Sequence, residues 1–378
     1  QRPEYKPHTL QTKMRIGYDA KRLYNNFTGL GNHSRTTIDI LTDQFPENDY
    51  LLYTPKITSN PVTAQYLEKK SCQTILPKGI IRGSIWRTLK LSADIQQDNI
   101  DLFHGLSNEL PLGICHSGIR SIVTIHDVAF KTFPDMYHQA DRYIYDLKWK
   151  HAVEAADRII AISKCTKEDI IRYYDVDEQK IDIVYQPVAP LYYTPIPKTQ
   201  CPPYMLYVGS VNSRKNLLGI VKAMEMLPGD FDLPLYIVGD GKEYKREVEA
   251  YISEHGMERR FRWLAGQTPA QLQQLYTNAQ LFIYPSFYEG FGLPVVEAML
   301  SGCPVVTSNV SSLPEAAGPY SLLANPSDPE DIKENIQKAL EDSALRRRMI
   351  EGSKEFAMFA FNPKNLAHQL MDSYRYFS

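Results

Sequence analysis

The sequence contains no long apolar run and carries little net charge. No stretch approaches the roughly eighteen apolar residues that a membrane-spanning helix needs, and residues 1–13 lack the apolar segment of a secretory signal. We therefore interpret residues 1–13 as an extension and expect a cytoplasmic protein. A formal net charge of −2 provides no global attraction to nucleic acid or to an anionic membrane, so we expect no nucleic-acid partner. Any anion must therefore bind at a local site.

Cysteine is also scarce. The five cysteines are scattered and include no C-x-x-C pair. This pattern argues against a disulfide framework and a zinc site, and it fits a reducing compartment. Asp175-Val-Asp177 superficially looks like a carboxylate metal motif, but its polar surroundings favour a solvated turn. The sequence predicts no metal site.

What the sequence does contain is a regular alternation of short apolar runs and helical patterns. Its 378 residues are too many for one compact core and suggest two domains. The first, residues 14–188, includes the runs RIGYDA, YLLYTP, IDLFHGL, SIVTIHDV, ADRIIAIS and KIDIVYQP. The second begins near residue 204 and includes YMLYVGS, LPLYIVGDG, FRWLAG, AQLFIYPS and CPVVTSN, with two helices from about Asp328 to the end. Buried strands alternating with helices predict α/β domains, each a doubly wound, mainly parallel sheet.

Segment 186–204 carries six prolines and no helical or strand period, so it is the best candidate for a linker. In doubly wound sheets, ligands bind at the carboxyl ends of the strands. The residues that directly follow each predicted strand are therefore the candidates for a site.

A basic pair follows the strand YMLYVGS. Arg214 and Lys215 stand in a loop between the turn at Gly209 and the next helix. Free backbone N–H groups and the positive end of a helix dipole favour an anion there. An arginine fork and a lysine point charge add what a diphosphate needs. The alternative is a solvated basic loop, and the position at the ligand edge favours the diphosphate site.

Two glutamates flank a glycine-rich turn after the strand AQLFIYPS. Glu289 lies at the ligand edge, and Gly290 and Gly292 allow close approach of a ligand to the backbone. Pro294 suits the first turn of a helix, which places Glu297 one turn further along. A carboxylate there can hold hydroxyl groups of a sugar or ribose. The alternative for Glu297 alone is a capping glutamate.

Two further features point to the same edge. His126 lies at the end of the strand SIVTIHDV, where it would face the cleft. Its neutral ring could form a hydrogen bond with a sugar hydroxyl and could change charge near neutral pH. The alternative is a histidine with a purely structural role. The segment TGLGNHS (28–34) resembles a nucleotide-binding glycine fingerprint, but Ser34 replaces its third glycine. We expect a flexible loop that closes over a bound phosphate, followed by a helix from about Ser34 to Gln44.

Segment 79–91, GIIRGSIWRTLKL, combines apolar and basic side chains. It could form an amphipathic helix that touches lipid headgroups, which would be a peripheral membrane contact. The alternative is an ordinary helix packed on its own domain.

These motifs together resemble glycosyltransferase family 4, in particular its bacterial mannosyltransferase-like members. The stretch from Glu289 to Glu297 resembles the E-x7-E motif of these retaining enzymes, and the RKN loop, EGFGLP, FHGLSNELP, TIHD and ADRIIAISKCTKEDII look like the same family. The resemblance runs from Met14 to the C-terminus. It implies the GT-B fold, in which two Rossmann-like domains face each other across a cleft. It further implies a donor domain at 204–360 and a final helix, 363–377, that returns to the N-terminal acceptor domain.

The resemblance also implies residue roles. Arg214 and Lys215 would hold the donor diphosphate and stabilise the leaving group, Glu289 would contact the transferred sugar, and His126 would meet that sugar from the N-terminal side. The remaining implied donor contacts come from the backbone and from Glu297, which would bind the ribose. They are Gly31 and Gly209 near the diphosphate, Leu264 near the nucleobase, and the N–H groups of Phe291, Gly292 and Leu293 near the sugar.

The implied activity is retaining transfer of a mannose- or glucose-type hexose from a GDP- or UDP-linked donor in polysaccharide biosynthesis, without cofactor or metal. The acceptor would be a glycan or a lipid-linked glycan, handled in the cytoplasm and at the inner face of the membrane. A same-fold phosphorylase or sucrose-type synthase stays an alternative. So does a non-catalytic two-domain sugar-binding protein, although the missing secretory signal and the charged site residues argue against it.

Overall fold

The computed structural model describes residues 13–78, 83–229 and 231–376. They form two α/β domains, each built on one parallel sheet, with strand orders β3-β2-β1-β4-β5-β6-β7 and β10-β9-β8-β11-β12-β13. Both orders reverse direction beside the first strand of the domain, which is the arrangement of doubly wound folds. The predicted GT-B fold class is confirmed, including the pairing of two Rossmann-like domains.

The N-terminal sheet consists of strands that are largely buried because helices cover both faces. Its strands are β1 (Arg15–Asp19), β2 (Asp49–Tyr53), β3 (Cys72–Ile75), β4 (Leu102–Gly105), β5 (Arg120–Ile125), β6 (Arg158–Ala161) and β7 (Ile181–Ile183). The helices are α1 (Lys21–Asn25), α2 (Gly29–Gln44), α3 (Pro61–Glu68), α4 (Gly83–Ile85), α5 (Leu91–Gln97), α6 (Ala129–Thr132), α7 (Gln139–Ala155) and α8 (Lys164–Tyr174). A π-helical segment, Trp86–Lys90, joins α4 to α5.

The C-terminal domain repeats this plan. Its strands are β8 (Met205–Val208), β9 (Leu235–Val238), β10 (Phe261–Leu264), β11 (Leu281–Tyr284), β12 (Val305–Ser308) and β13 (Leu322–Ala324). Its helices are α9 (Leu217–Glu225), α10 (Glu243–Glu254), α11 (Pro269–Asn278), α12 (Leu293–Leu300), α13 (Leu313–Ala317), α14 (Pro329–Glu341) and α15 (Ser343–Ala360), followed by α16 (Pro363–Arg375). The buried face of α16 joins the core of the N-terminal domain, and the Tyr374 hydroxyl lies 2.7 Å from His104 Nδ1.

Several element predictions were wrong in detail. The strands β3 and β13 were missed because each is only three or four residues long and only partly buried. The two helices expected after Asp328 are three, since a break at Asp342 separates α14 from α15. The helix expected from Ser34 begins instead at Gly29. Residues 1–12 of the predicted extension and residue 377 of the predicted final helix lie outside the described residues.

Candidate active site

The loop after β8 places two cations at the carboxyl edge of the C-terminal sheet. Residues Ser213–Lys215 form a single 3-10 turn, in which the Asn212 side chain accepts from the Lys215 N–H at 3.2 Å. Asn216 adopts a left-handed conformation (φ 57°) and donates through Nδ2 to the carbonyls of Pro285 and Pro326. The turn that carries Arg214 and Lys215 is therefore fixed at both ends.

Both cations converge on the carboxylate of Glu289. Lys215 Nζ lies 2.7 Å from Oε1 and Arg214 Nη1 lies 3.3 Å from Oε2. Burial alone would raise the pKa of Glu289, but Lys215 and Arg214 more than offset it and lower the pKa to about 2. Burial alone would lower the pKa of Arg214, but the neighbouring Glu289 carboxylate raises it above its ordinary value. The three residues form a buried, fully charged cluster with one net positive charge.

Polar residues that the sequence analysis missed hold Glu289 in position. Tyr284 and Ser286 donate to Oε1 at 2.9 and 2.8 Å. The hydroxyls of Ser311 and Ser312 both donate to the Glu289 carbonyl at 2.7 Å. Oε1 thus accepts three hydrogen bonds, whereas Arg214 is the sole partner of Oε2 among the described residues. Oε2 is the oxygen with capacity left for a ligand hydroxyl.

The turn after Glu289 presents backbone donors. Gly292 has φ +114°, a conformation that favours glycine, and it precedes α12 with Pro294 in the first turn. In the part of the chain that the structure describes, the N–H groups of Phe291, Gly292 and Leu293 have no recorded acceptor. These donors at the positive end of a helix can stabilise an oxygen that carries negative charge or a polar hydroxyl.

Glu297 lies in α12 with a different environment from Glu289. The Tyr276 hydroxyl donates to its Oε2 at 3.1 Å, and Tyr192 lies beside the same carboxyl group. Burial raises the pKa of Glu297 to about 7, against the opposing hydrogen bonds of the two tyrosines. The two glutamates of the motif therefore differ: one is a fixed anion and the other titrates near neutrality.

His126 contributes from the N-terminal domain, directly after β5. Its Nε2 lies 2.9 Å from the Leu106 carbonyl, and its ring packs edge-to-face on His33 with centroids 4.5 Å apart. The carbonyl contact requires the proton on Nε2, which leaves Nδ1 as an acceptor. Burial lowers the pKa of His126 and favours the neutral ring, which argues against the expected change of charge near neutral pH. In its neutral form the ring can accept through Nδ1.

The expectation of a flexible phosphate-closing loop at 28–34 is also wrong, because these residues form the first turns of α2. Gly31 sits inside this turn, where a β-carbon would lie 1.7 Å from the Asn26 carbonyl oxygen. Its N–H donates to the Asn26 side chain at 3.0 Å. Gly31 is therefore required by the packing of the turn, and a contact to a diphosphate stays a prediction.

Leu264, at the end of β10, borders a cavity of about 470 Å³. Trp263, Gly239, Asp240 and Lys245 line the same cavity. Gly239 packs so closely on Gly209 that a β-carbon would lie 1.8 Å from the Gly209 carbonyl oxygen. The strand ends of β8, β9 and β10 thus form one continuous surface beside the Arg214–Lys215 turn.

The two domains touch at the site. A β-carbon on Gly290 would lie 2.0 Å from the His126 carbonyl oxygen. Thr166 of the N-terminal domain donates to the Gly290 carbonyl at 3.1 Å. The N–H groups of Lys164 and Cys165, at the start of α8, donate to the Glu315 carboxylate of the other domain at 3.0 and 3.1 Å. His126 is thereby brought next to the turn that carries Glu289.

The described part of segment 79–91, residues 83–91, packs on its own domain through Trp86 and Arg87. Residues 79–82 lie outside the described residues. Trp86 and Arg87 are buried, whereas Ile85 and Leu89 are 60% and 63% exposed. Within the described residues, no helix is both long enough and apolar enough to cross a bilayer, and no group of three or more His, Cys, Asp or Glu side chains is arranged to hold a metal.

Family models match both halves of the chain. The model described as glycosyltransferase family 4 matches residues 40–190, and the model described as glycosyl transferases group 1 matches residues 195–356. The O-antigen chain mannosyltransferase B of Escherichia coli is 32% identical over 292 residues, which span 72% of this chain and 74% of that protein. The chain belongs to glycosyltransferase family 4.

A second relative and two solved structures are similar to this glycosyltransferase at lower identity. The O-antigen chain mannosyltransferase RfbU of Salmonella typhimurium is 27% identical over 215 residues, or 57% of this chain and 59% of that protein. Among solved structures, Anabaena HepE in complex with UDP and glucose has a TM-score of 0.71 at 18% identity, covering 95% of this chain and 99% of that one. A glycosyltransferase from Rickettsia africae has a TM-score of 0.74 at 15% identity, with 97% and 98% covered. These structures show the shared fold.

Proposed function

We propose that the protein transfers a hexose from a nucleoside-diphosphate sugar to a glycan, with retention of configuration. The observation that carries this proposal is the buried cluster of Arg214, Lys215 and Glu289 at the contact between the domains. Two cations and one carboxylate leave one positive charge, which suits a diphosphate. The same cluster places a carboxylate where it can accept from sugar hydroxyls.

The leaving group gains from the charge of Arg214 and Lys215. As the bond between the anomeric carbon and the phosphate oxygen breaks, negative charge grows on the diphosphate, and fixed cations stabilise it more strongly than they stabilise the intact donor. We propose that this electrostatic stabilisation takes the place of a metal ion, so that the reaction is metal-independent. No other cofactor is proposed.

The transferred sugar is held by residues of both domains. Oε2 of Glu289 accepts from one of its hydroxyls, and the N–H groups of Phe291, Gly292 and Leu293 donate to others. Nδ1 of His126 accepts from a hydroxyl on the opposite side. Glu297 binds the ribose, the cavity beside Leu264 takes the nucleobase, and Gly209 and Gly31 border the diphosphate.

Retention follows if the acceptor attacks from the face that the diphosphate leaves. The acceptor oxygen forms its bond to the anomeric carbon while the bond to phosphate breaks, and its proton passes to the departing phosphate oxygen. Glu289 is unsuited to act as the base, because its pKa is about 2. The displaced phosphate oxygen is the better base on that face.

The names of the relatives favour mannose and a surface glycan. Both O-antigen relatives are mannosyltransferases by name, whereas the complexed neighbour was solved with UDP and glucose. We propose a mannose- or glucose-type hexose on GDP or UDP, and a glycan or lipid-linked glycan as acceptor. The exposed Ile85 and Leu89 support a peripheral contact with the inner face of the cytoplasmic membrane.

A thermal-shift series with UDP, GDP, ADP, CMP, NAD, inorganic phosphate and free hexoses, with and without magnesium, tests the donor site. A ligand at about 100 times its dissociation constant stabilises by about 2.7 kcal/mol, which raises the midpoint by several degrees. We expect one nucleoside diphosphate to produce this shift independently of magnesium. A shift with phosphate or free sugar alone would instead support a phosphorylase or a binding protein and contradict the proposal.

A further inference from the structure

The first turns of α8 contact a turn of the other domain through two polar side chains. The Thr166 hydroxyl lies 3.1 Å from the Gly290 carbonyl oxygen and 3.3 Å from the His126 carbonyl oxygen. The Asp169 carboxylate accepts from the Tyr288 hydroxyl at 2.6 Å. Because residues three apart lie on the same face of a helix, Thr166 and Asp169 form one surface. We call these two residues the α8 clamp.

Tyr288 belongs to the C-terminal domain, but its side chain packs against the N-terminal one. Its ring contacts Phe133 edge-to-face, with centroids 5.7 Å apart, and only 4% of the residue is exposed. A buried hydroxyl needs a hydrogen-bond partner, and Asp169 supplies it. The main-chain carbonyl of Tyr288 accepts from Arg214 Nη1 and from Ser286 Oγ in its own domain. Tyr288 therefore connects α8 to Arg214.

The start of α8 is fixed, so the Thr166 hydroxyl has a defined position. Ser163 Oγ accepts from the Thr166 N–H and donates to Thr166 Oγ1, both at 3.0 Å. The Glu315 carboxylate, from the C-terminal domain, accepts from the first two N–H groups of the helix. Thr166 is completely buried. Its hydroxyl proton is therefore left for the carbonyls of His126 and Gly290, one from each domain.

We propose that Thr166 and Asp169 are positioning residues for sugar transfer, because they set the distance between Glu289 and His126. The inference rests on the proposed function and concerns the geometry of its site. Glu289 is already held within the C-terminal domain by three hydrogen bonds to Oε1. The α8 clamp holds the turn around Glu289 against the strand edge that carries His126. Both residues can then contact one sugar at the same time.

Nucleotide binding and sugar transfer should depend on the α8 clamp to different degrees. The turn that carries Arg214 and Lys215 is fixed within the C-terminal domain, by Asn216 and by the bond from Ser286 Oγ to the Arg214 carbonyl. A nucleoside diphosphate can therefore bind without the clamp. Transfer needs groups of both domains at once. Loss of the clamp should lower kcat and leave nucleotide affinity nearly unchanged, whereas a residue that only supports folding would not produce this difference.

The first experiment replaces Asp169. The assay follows release of nucleoside diphosphate from GDP-mannose or UDP-glucose with a mannose oligosaccharide as acceptor, and calorimetry measures binding of GDP or UDP. We expect Asp169→Ala to lower kcat by about 10-fold or more and to change the dissociation constant by less than about 2-fold. Asp169→Asn should stay within about 3-fold of the wild-type kcat, because its amide oxygen can still accept from Tyr288. Glu168→Ala, an exposed carboxylate on the same helix, is the matched control.

Two further sets of variants test the individual hydrogen bonds. Thr166→Val keeps the shape of the side chain without its hydroxyl and should lower kcat by about 10-fold, whereas Thr166→Ser should restore most of it. Tyr288→Phe keeps the ring on Phe133 and removes the hydroxyl that Asp169 accepts from. The double variant Asp169→Ala with Tyr288→Phe should be no slower than the slower single variant, because both changes remove the same hydrogen bond.

A normal kcat in Asp169→Ala or in Thr166→Val would overturn the proposal. So would a fall in kcat that Asp169→Asn and Thr166→Ser do not restore, or a loss of nucleotide affinity as large as the loss of kcat. Nucleotide binding and transfer by the wild type show in each of these cases that the proposed function stands. If the wild type neither binds a nucleoside diphosphate nor transfers a sugar, the proposed function itself fails, and the inference with it.

Discussion

The α-carbon of Gly290 lies against the main-chain carbonyl of His126, so closely that a β-carbon would stand 2.0 Å from that oxygen. The contact joins the turn that carries Glu289 to the N-terminal strand edge that carries His126. Only glycine, which has no β-carbon, can occupy position 290 at this distance. The distance between Glu289 and His126 therefore depends on the absence of a side chain at position 290.

Gly290→Ala should hold the domains apart. We expect transferase activity to fall by about 10-fold or more. A displacement of reacting groups by about 1 Å can lower the rate by as much as about 100-fold. Small-angle scattering should show a larger radius of gyration. Gly229→Ala is the control, since a β-carbon there meets no atom within 4 Å. Unchanged activity and radius in Gly290→Ala would show that the contact is dispensable.

Glu289→Gln should lower kcat by about 100-fold or more, as expected for loss of one contact that stabilises the transition state. The amide keeps the shape of the side chain but leaves Arg214 and Lys215 without their shared anion. Glu330→Gln removes an exposed ion pair with Lys333 and serves as the control. A steady-state rate assay with the nucleotide sugar measures both. Near-normal turnover of Glu289→Gln would contradict the role given to this carboxylate.

The raised pKa of Glu297, about 7, predicts that donor affinity depends on pH. If ribose hydroxyls bind the ionised carboxylate, the nucleotide sugar should bind about 10-fold more weakly at pH 6 than at pH 8, since only about a tenth of the sites are ionised at the lower pH. Burial lowers the pKa of His126, which moves its titration away from this range. Calorimetric titration of Glu297→Gln should show a flat profile. A flat profile in the wild type would remove Glu297 from the donor site.

Ionisation of Glu297 should lower the stability of the fold, whereas it should raise the affinity for the donor. The folded-state pKa lies above the ordinary value of 4.5, so the neutral form stabilises the fold. This contribution is complete below pH 4.5 and is lost as the pH rises through about 7. Its size is at most about 3 kcal/mol. Denaturant unfolding of the wild type and Glu297→Gln at pH 5 and pH 8 should show the difference, and parallel stabilities at both pH values would contradict it.

Arg87→Met should destabilise the N-terminal domain by about 3–5 kcal/mol, because the buried Asp19 carboxylate loses its ion-pair partner and Glu109 is left with Lys148. The loss should be visible as a midpoint lower by about 10 °C in a thermal melt. Lys150→Ala removes an exposed pair with Glu154 and should change stability by less than about 0.5 kcal/mol. A change below about 1 kcal/mol in Arg87→Met would contradict the stabilising role of these ion pairs.

The sequence was sufficient to predict the fold and the strand ends that carry the candidate site residues. Apolar runs followed by turn residues predicted β8 and β11, and the residues after them include Arg214 and Glu289. The pairing of these residues in one ion cluster could not be predicted. It depends on how far the Ser213–Lys215 turn reaches across the strand edge, which is set by Asn216 and its contacts to Pro285 and Pro326.

Other parts of the site carried no sequence signal. Ser311 and Ser312 support the Glu289 carbonyl from 22 and 23 residues further along the chain, in a loop of ordinary composition. The start of α2 at Gly29 was missed because glycine is a poor helix former and Thr28 makes no side-chain cap. The lowered pKa of His126 depends on burial in the folded protein, which a local sequence pattern does not report.

The most direct test of retaining hexosyl transfer is an NMR assay of the reaction with a nucleotide sugar and a glycan acceptor. We expect nucleoside diphosphate and glycoside to form in equal amounts, without added metal, and the new linkage to have the anomeric configuration of the donor. We also expect Glu289→Gln to slow the formation of both products together. An inverted linkage, or full activity in Glu289→Gln, would contradict the account.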